Sequence, residues 1–102
     1  MARHSELVKI PRIDRYVTKL ALGTAPMGGW PATVAESDAE ATILAATDSG
    51  INYFDTAPLY GHGLAEERLG RILGEVSQSF VLQTKVGRVL NWVEKADPVP
   101  WF

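Results

Sequence analysis

Three short runs of strand-forming residues, 19–23, 51–56 and 80–85, are separated by two segments of helical periodicity, 37–49 and 64–76. Strands that alternate with helices at this spacing need crossover connections, and such crossovers build a parallel sheet. Ahead of them, residues 8–22 alternate charged and apolar side chains, and Arg15-Tyr16-Val17-Thr18-Lys19 is rich in strand formers. This pattern predicts a short hairpin leading into the first of the three strands, so that hairpin and strand together occupy 8–23. Two architectures use this order, a barrel and a doubly wound sheet. A doubly wound nucleotide domain wants Gly-x-Gly-x-x-Gly directly after its first strand, but Gly23-Thr24-Ala25-Pro26-Met27-Gly28 departs from that pattern and Pro26 withholds an amide. The phosphate-loop pattern ending in Gly-Lys-Ser or Gly-Lys-Thr is also absent.

Each element carries its own boundary signals. Ser37-Asp38-Ala39-Glu40 has the form of a capping box, so the first helix is expected to begin at Asp38. Ala41, Leu44, Ala45 and Asp48 follow at helical spacing as the expected inward, Ala-rich stripe, and Gly50 supplies a left-handed stop. The run 51–56, bounded by Gly50 and Pro58, reads as a strand buried on both faces. In the second helix Leu69, Ile72, Leu73 and Val76 keep a three-and-four rhythm, and Glu66 and Glu67 sit where carboxylates favour the helix dipole. Glu66, Glu67, Arg68 and Arg71 read most simply as its solvated face. The run 80–85 is expected to be another buried strand, and 88–102, with Pro98 and Pro100, a truncated loop.

Composition narrows the function classes. The chain has 102 residues, 46% hydrophobic and 22% charged, as one globular domain would. No stretch approaches the roughly 18 uninterrupted apolar residues of a membrane span, and the first residues lack a signal peptide's apolar core, so a cytoplasmic address is expected. With no cysteine there is no thiolate metal site and no thiol nucleophile, and the isolated His4 and His62 make no metal centre. The five bases among residues 1–20 are interrupted by Ile10, Ile13, Tyr16 and Val17, which argues for a solvated hairpin rather than a nucleic-acid surface.

Chemistry concentrates at two strand ends. Alternation puts Tyr53 and Asp55 on one face of their strand, and Val81, Gln83 and Lys85 on one face of theirs. Neighbouring parallel strands lie about 4.8 Å apart, so Asp55 and Lys85 can pair if those faces coincide. Tyr60, five residues beyond Asp55, would overhang the same rim, where parallel α/β folds place their active sites. A tyrosine with an ordinary pKa of about 10 is a poor proton donor near neutrality, but an adjacent ammonium favours the phenolate and a carboxylate keeps that ammonium charged. Such a trio suits carbonyl reduction. Taken alone, however, a strand carboxylate beside a lysine is most often a structural ion pair, and a loop tyrosine before a glycine a half-buried anchor.

The run Gly50-Ile51-Asn52-Tyr53-Phe54-Asp55-Thr56-Ala57-Pro58-Leu59-Tyr60-Gly61, followed by Ala65-Glu66-Glu67-Arg68-Leu69-Gly70, resembles the N-terminal signature of the aldo-keto reductase superfamily. Val81-Leu82-Gln83-Thr84-Lys85-Val86-Gly87 is similar to its third strand, and Asp55 to Gly61 with His62-Gly63-Leu64-Ala65-Glu66, together with Lys85-Val86-Gly87-Arg88, most resembles a bacterial branch of aldose and pyridoxal dehydrogenases. The resemblance implies the N-terminal part of a (β/α)8 TIM barrel, its floor closed by the hairpin, that binds NADP or NAD without a metal. It further implies Tyr60 as proton donor with Asp55 and Lys85 as partners, and Gly23, Thr24, Ala25 and Asp55 near the cofactor. Trp30 and Tyr60 would face a small carbonyl or sugar-like substrate. A barrel needs about 250 residues, and the family's catalytic histidine has no counterpart here, so a fragment, a natural truncation or an incomplete gene model is expected. Such a chain would be inactive alone and dependent on the missing C-terminal part of the barrel. Two other classes stay open: a non-catalytic half-barrel remnant or interaction module, and a Schiff-base lyase using Lys85.

Overall fold

A computed structural model describes residues 5–91. The hairpin pairs β1 (Leu7–Ile10) with β2 (Arg15–Thr18) in antiparallel register, Leu7 opposite Thr18. β3 (Leu22–Gly23), β4 (Tyr53–Asp55) and β5 (Val81–Gln83) form a parallel sheet in the order β3-β4-β5. α1 (Glu36–Asp48) connects β3 to β4 and α2 (Leu64–Leu73) connects β4 to β5, while a short 3-10 helix (Ala25–Gly28) follows β3. Asn52, just before β4, ties the hairpin to the sheet. Its side chain accepts from the Thr18 amide at 2.8 Å and donates to the Tyr16 carbonyl at 3.1 Å. The hairpin therefore sits at the N-terminal end of β4.

One face of the sheet is dry. Phe54 is fully buried against Ile43 of α1 and Leu69, Ile72 and Leu73 of α2, with Met27 of the 3-10 helix completing the cluster. Phe80 meets the Phe54 ring edge-on, centroids 6.5 Å apart. The opposite face is open. Tyr53 and Asp55 are half-buried there, and at the edge strand β5 even Leu82, the helix-side partner of Phe54, is 44% exposed. The expectations of a strand buried on both faces at 51–56 and of a buried strand at 80–85 are thus corrected: only the helix-facing side of β4 is buried, because among the described residues no element packs on the other face of the sheet, and β5 is an edge.

Both helices also depart from expectation. α1 begins at Glu36, with Ala35 as its cap and no side-chain cap, so Ser37 and Glu40 form no capping box. Its buried side chains are Ala39, Ile43, Ala46 and Thr47, and Ala41, Leu44 and Ala45 face outward. Small apolar residues lie on both sides of this helix, so its periodicity leaves the inward face open and the bulk of Ile43 selects it. α2 stops at Leu73, where Gly74 ends the regular bonding, and Val76 packs on the core from the following turn.

Arg68 overturns the reading of a solvated charged face. It is 8% exposed. Its guanidinium donates to Glu36 at 2.7 Å, to the Met27 carbonyl at 3.0 Å and to the Val34 carbonyl at 2.8 Å. Glu36 also receives Arg71. This fork joins α2, the start of α1 and the 3-10 helix, and it draws the first turn of α1 back to Glu36. Arg68→Ala leaves two carbonyls short of a donor and is expected to cost about 2–4 kcal/mol, read from the urea midpoint. Arg68→Lys, with one nitrogen for three acceptors, should recover only part of the loss. The hydrogen bond from Arg71 holds the Glu36 carboxyl below its ordinary 4.5 against the effect of burial, and Arg68 adds to it. That stabilisation is present above pH 4.5 and is lost as pH falls through the depressed value, so Glu36→Gln should flatten the acid limb of a stability profile.

Candidate active site

The parallel register places Asp55 opposite Gln83, and two residues further on Lys85 reaches back across the strand ends. Its ammonium lies 3.2 Å from Asp55 Oδ2 and 3.3 Å from Oδ1, and donates to the Thr56 carbonyl at 2.8 Å. The same Nζ stands 5.1 Å from the centre of the Tyr60 ring. The structure thus brings Asp55, Tyr60 and Lys85 together at the C-terminal end of the parallel strands. Burial opposes the Lys85 charge, but hydrogen bonds to Asp55 and Tyr60, with the attraction of both groups, raise its pKa above the ordinary lysine value. A cavity of about 280 Å³ opens beside them, walled by the loop from Ala57 to Tyr60 and by Lys85, Val86 and Arg88.

Tyr60 owes its position to backbone packing. Gly28 and Gly61 touch so closely that a Cβ on either would overlap the main chain of the other loop, and Gly61 has φ +72°. Tyr60 N–H donates to the Ala57 carbonyl, and the Tyr60 carbonyl accepts from Ala65 at the start of α2. The ring packs on the core cluster, so the side chain is an anchor as well as a member of the trio. Arg68, by holding the Met27 carbonyl, fixes the surface on which the Tyr60 loop rests.

The remaining residues named from sequence divide. Gly23 ends β3 with nothing within 4 Å of where a Cβ would stand, leaving open space above the strand end. Thr24 is fully buried and its hydroxyl donates to the Asp55 carbonyl at 2.9 Å, so that side chain braces β3 against β4. Ala25 opens the 3-10 helix. Trp30 is 56% exposed and does not line the Tyr60 cavity. His62 donates a ring N–H to the Asn91 carbonyl at 2.7 Å, strapping the loop after β5 to the loop after β4. His4, Trp92, Trp101, Pro98 and Pro100 lie outside the described residues. Sequence reasoning assigned no role to Gln83, whose amide donates to Asp55 Oδ1 at 2.9 Å and whose oxygen accepts from Tyr53. The alternation of side chains had put Tyr53 with Asp55 and Gln83 with Lys85 within their own strands, but the cross-strand register that joins the two faces is not written in either strand.

The family model described as aldo/keto reductase matches residues 19–99, and the chain belongs to that family. It is 49% identical over 87 residues to the pyridoxal 4-dehydrogenase of Microbacterium luteolum, covering 85% of this chain and 25% of that enzyme. A D-threo-aldose 1-dehydrogenase from a Pseudomonas species is 43% identical over 76 residues, 74% of this chain and 23% of the relative. Among solved structures, the glycerol dehydrogenase of Gluconobacter oxydans superposes with a TM-score of 0.73 at 42% identity, covering 92% of this chain and 28% of that one. The fold is accordingly the N-terminal part of a (β/α)8 barrel, without closure of the barrel. The chain spans about a quarter of the length of the relatives it matches.

A raised pKa keeps Lys85 protonated, and an amine reacts with acylating reagents only when neutral. At pH 9 Lys85 should therefore acylate more slowly than the other lysines of the folded chain, and Asp55→Asn should speed it several-fold, as read by mass spectrometry of the modified peptides. The ion pair's contribution to stability is complete below the ordinary lysine value of 10.5 and is lost as pH rises through the raised one.

Proposed function

We propose that these residues are the proton-transfer half of an NAD(P)-dependent oxidoreductase site that interconverts a small aldehyde, ketone or aldose and the corresponding alcohol or oxidised sugar. The observation that carries this reading is the Lys85 ammonium held between the Asp55 carboxylate and the Tyr60 ring beside a cavity at the strand ends. The open space above Gly23 admits a flat ring, and the Asp55 carboxylate can accept from a ribose hydroxyl. Gly23, Ala25 and Asp55 would thus hold NADP or NAD. When bound, the nicotinamide supplies or accepts the hydride.

The chain's own residues handle the proton. Tyr60 gives its hydroxyl proton to the carbonyl oxygen as the carbonyl carbon is reduced, and in the reverse direction the same oxygen takes a proton from the alcohol. The adjacent ammonium stabilises the charge left on the phenol oxygen, and Asp55 keeps that ammonium charged and aimed. Thr56 contributes through its carbonyl, which holds a third direction of the Lys85 donor set. A Schiff-base lyase needs the opposite, a lysine whose neutral amine is favoured, whereas the neighbours of Lys85 favour its charge.

The test joins this chain to the C-terminal three-quarters of the pyridoxal 4-dehydrogenase relative. We expect the 102 residues alone to give no NAD(P)H oxidation with aldehydes, and the completed chain to turn over pyridoxal. Tyr60→Phe in the completed chain should lower kcat by about 10²–10⁴ with little change in cofactor binding, read from nicotinamide fluorescence. A folded, cofactor-binding chimera that is indifferent to Tyr60→Phe would sink the proposal.

A further inference from the structure

Asp55 and Lys85 are half-exposed, with side chains 31% and 49% open, and an ion pair in that setting does not hold its own geometry. Two neighbours on the same open face supply what the pair lacks. Gln83 stands directly across the β4–β5 register from Asp55 and donates from Nε2 to Oδ1 at 2.9 Å. A primary amide has a donor end and an acceptor end and can present either. Here the Tyr53 hydroxyl, two residues before Asp55 on the same face of β4, donates to the Gln83 oxygen, so the NH2 end is left facing the carboxylate. The bond to Oδ1 opposes rotation of the carboxylate about its own axis and keeps both oxygens within reach of the Lys85 ammonium, 3.3 Å from Oδ1 and 3.2 Å from Oδ2.

We propose that Gln83 is a positioning residue for the Asp55–Lys85 pair, with Tyr53 setting the direction of its amide. The relay runs Tyr53 hydroxyl to Gln83 amide to Asp55 carboxylate to Lys85 ammonium, and Lys85 in turn faces Tyr60. Its significance for proton transfer rests on the function proposed above, but its existence does not. The side-chain type matters more than its size: a methionine fills the space with no donor, and a glutamate of the same shape presents a second carboxylate to Asp55.

The experiment is the pH profile of Lys85 acylation in the full 102-residue chain, with Lys9 and Lys19 as internal references and far-ultraviolet circular dichroism as the folding control. Gln83→Met is expected to raise the Lys85 rate about threefold at pH 9 and to move the midpoint of its profile to lower pH. Tyr53→Phe should act in the same direction and less strongly. Gln83→Glu should move the midpoint the other way. Because Tyr53 acts through Gln83, the double variant Tyr53→Phe, Gln83→Met should match Gln83→Met alone. A merely structural role would raise the rate by the same factor at every pH with the midpoint unmoved, and that result overturns the proposal. So does additivity of the two substitutions. If Gln83→Met were to unfold the chain, Tyr53→Phe, which deletes one oxygen, still decides the matter by the midpoint alone. A shifted midpoint together with a chimera indifferent to Tyr60→Phe upholds the relay and removes the functional reading.

Discussion

The period of two along a β-strand is the constraint on which the rest of this structure depends. Phe54 is the largest fully buried side chain among the described residues, and its commitment to the helix-facing core assigns Tyr53 and Asp55 to the other side. Parallel pairing then repeats that choice on β5, where Gln83 shares the face of Asp55, and Lys85, two residues beyond the strand, reaches back to the same carboxylate. A slip of one residue in β4 would turn the carboxylate into the apolar cluster and Phe54 into water, so the burial of one ring protects the register of the whole site.

A second constraint acts from beneath. The Tyr60 loop is held by the bond from His62 to the Asn91 carbonyl and, beneath it, by backbone contact. It rests main chain to main chain on the 3-10 helix, at Gly28 and Gly61, and that helix is held by the guanidinium of Arg68. The charged group therefore works at a distance from the trio, by setting the floor on which the tyrosine stands. The nearly buried fork joins separate parts of the chain because its acceptors are the Met27 and Val34 carbonyls and the Glu36 carboxylate.

The sheet has unequal sides. Its helix face is dry around Phe54, whereas the face that carries Tyr53, Asp55 and Gln83 is open and β5 is an edge strand among the described residues. The relay of Tyr53, Gln83 and Asp55 supplies order on this face from within the two strands themselves.

The order of elements, the stop at Gly50 and the shared faces of Tyr53 with Asp55 and of Gln83 with Lys85 were legible in the sequence, because they follow from local periodicity and from glycine's access to positive φ, here +90° at Gly50. The convergence of Asp55, Tyr60 and Lys85 was legible only as a condition, since it needed the two strands to lie side by side with matching faces. Tertiary structure decided three things that no local pattern carries. It chose which side of α1 is buried, because alanines and leucine on the outer side offer the same periodicity as Ile43 and its neighbours on the inner one. It moved the start of α1 to Glu36, because the pull of two guanidinium groups outweighs a serine cap. It set the cross-strand register that makes Gln83 a partner of Asp55, because hydrogen bonds between strands depend on where each chain segment is delivered by its helix, and that is a property of the packed whole.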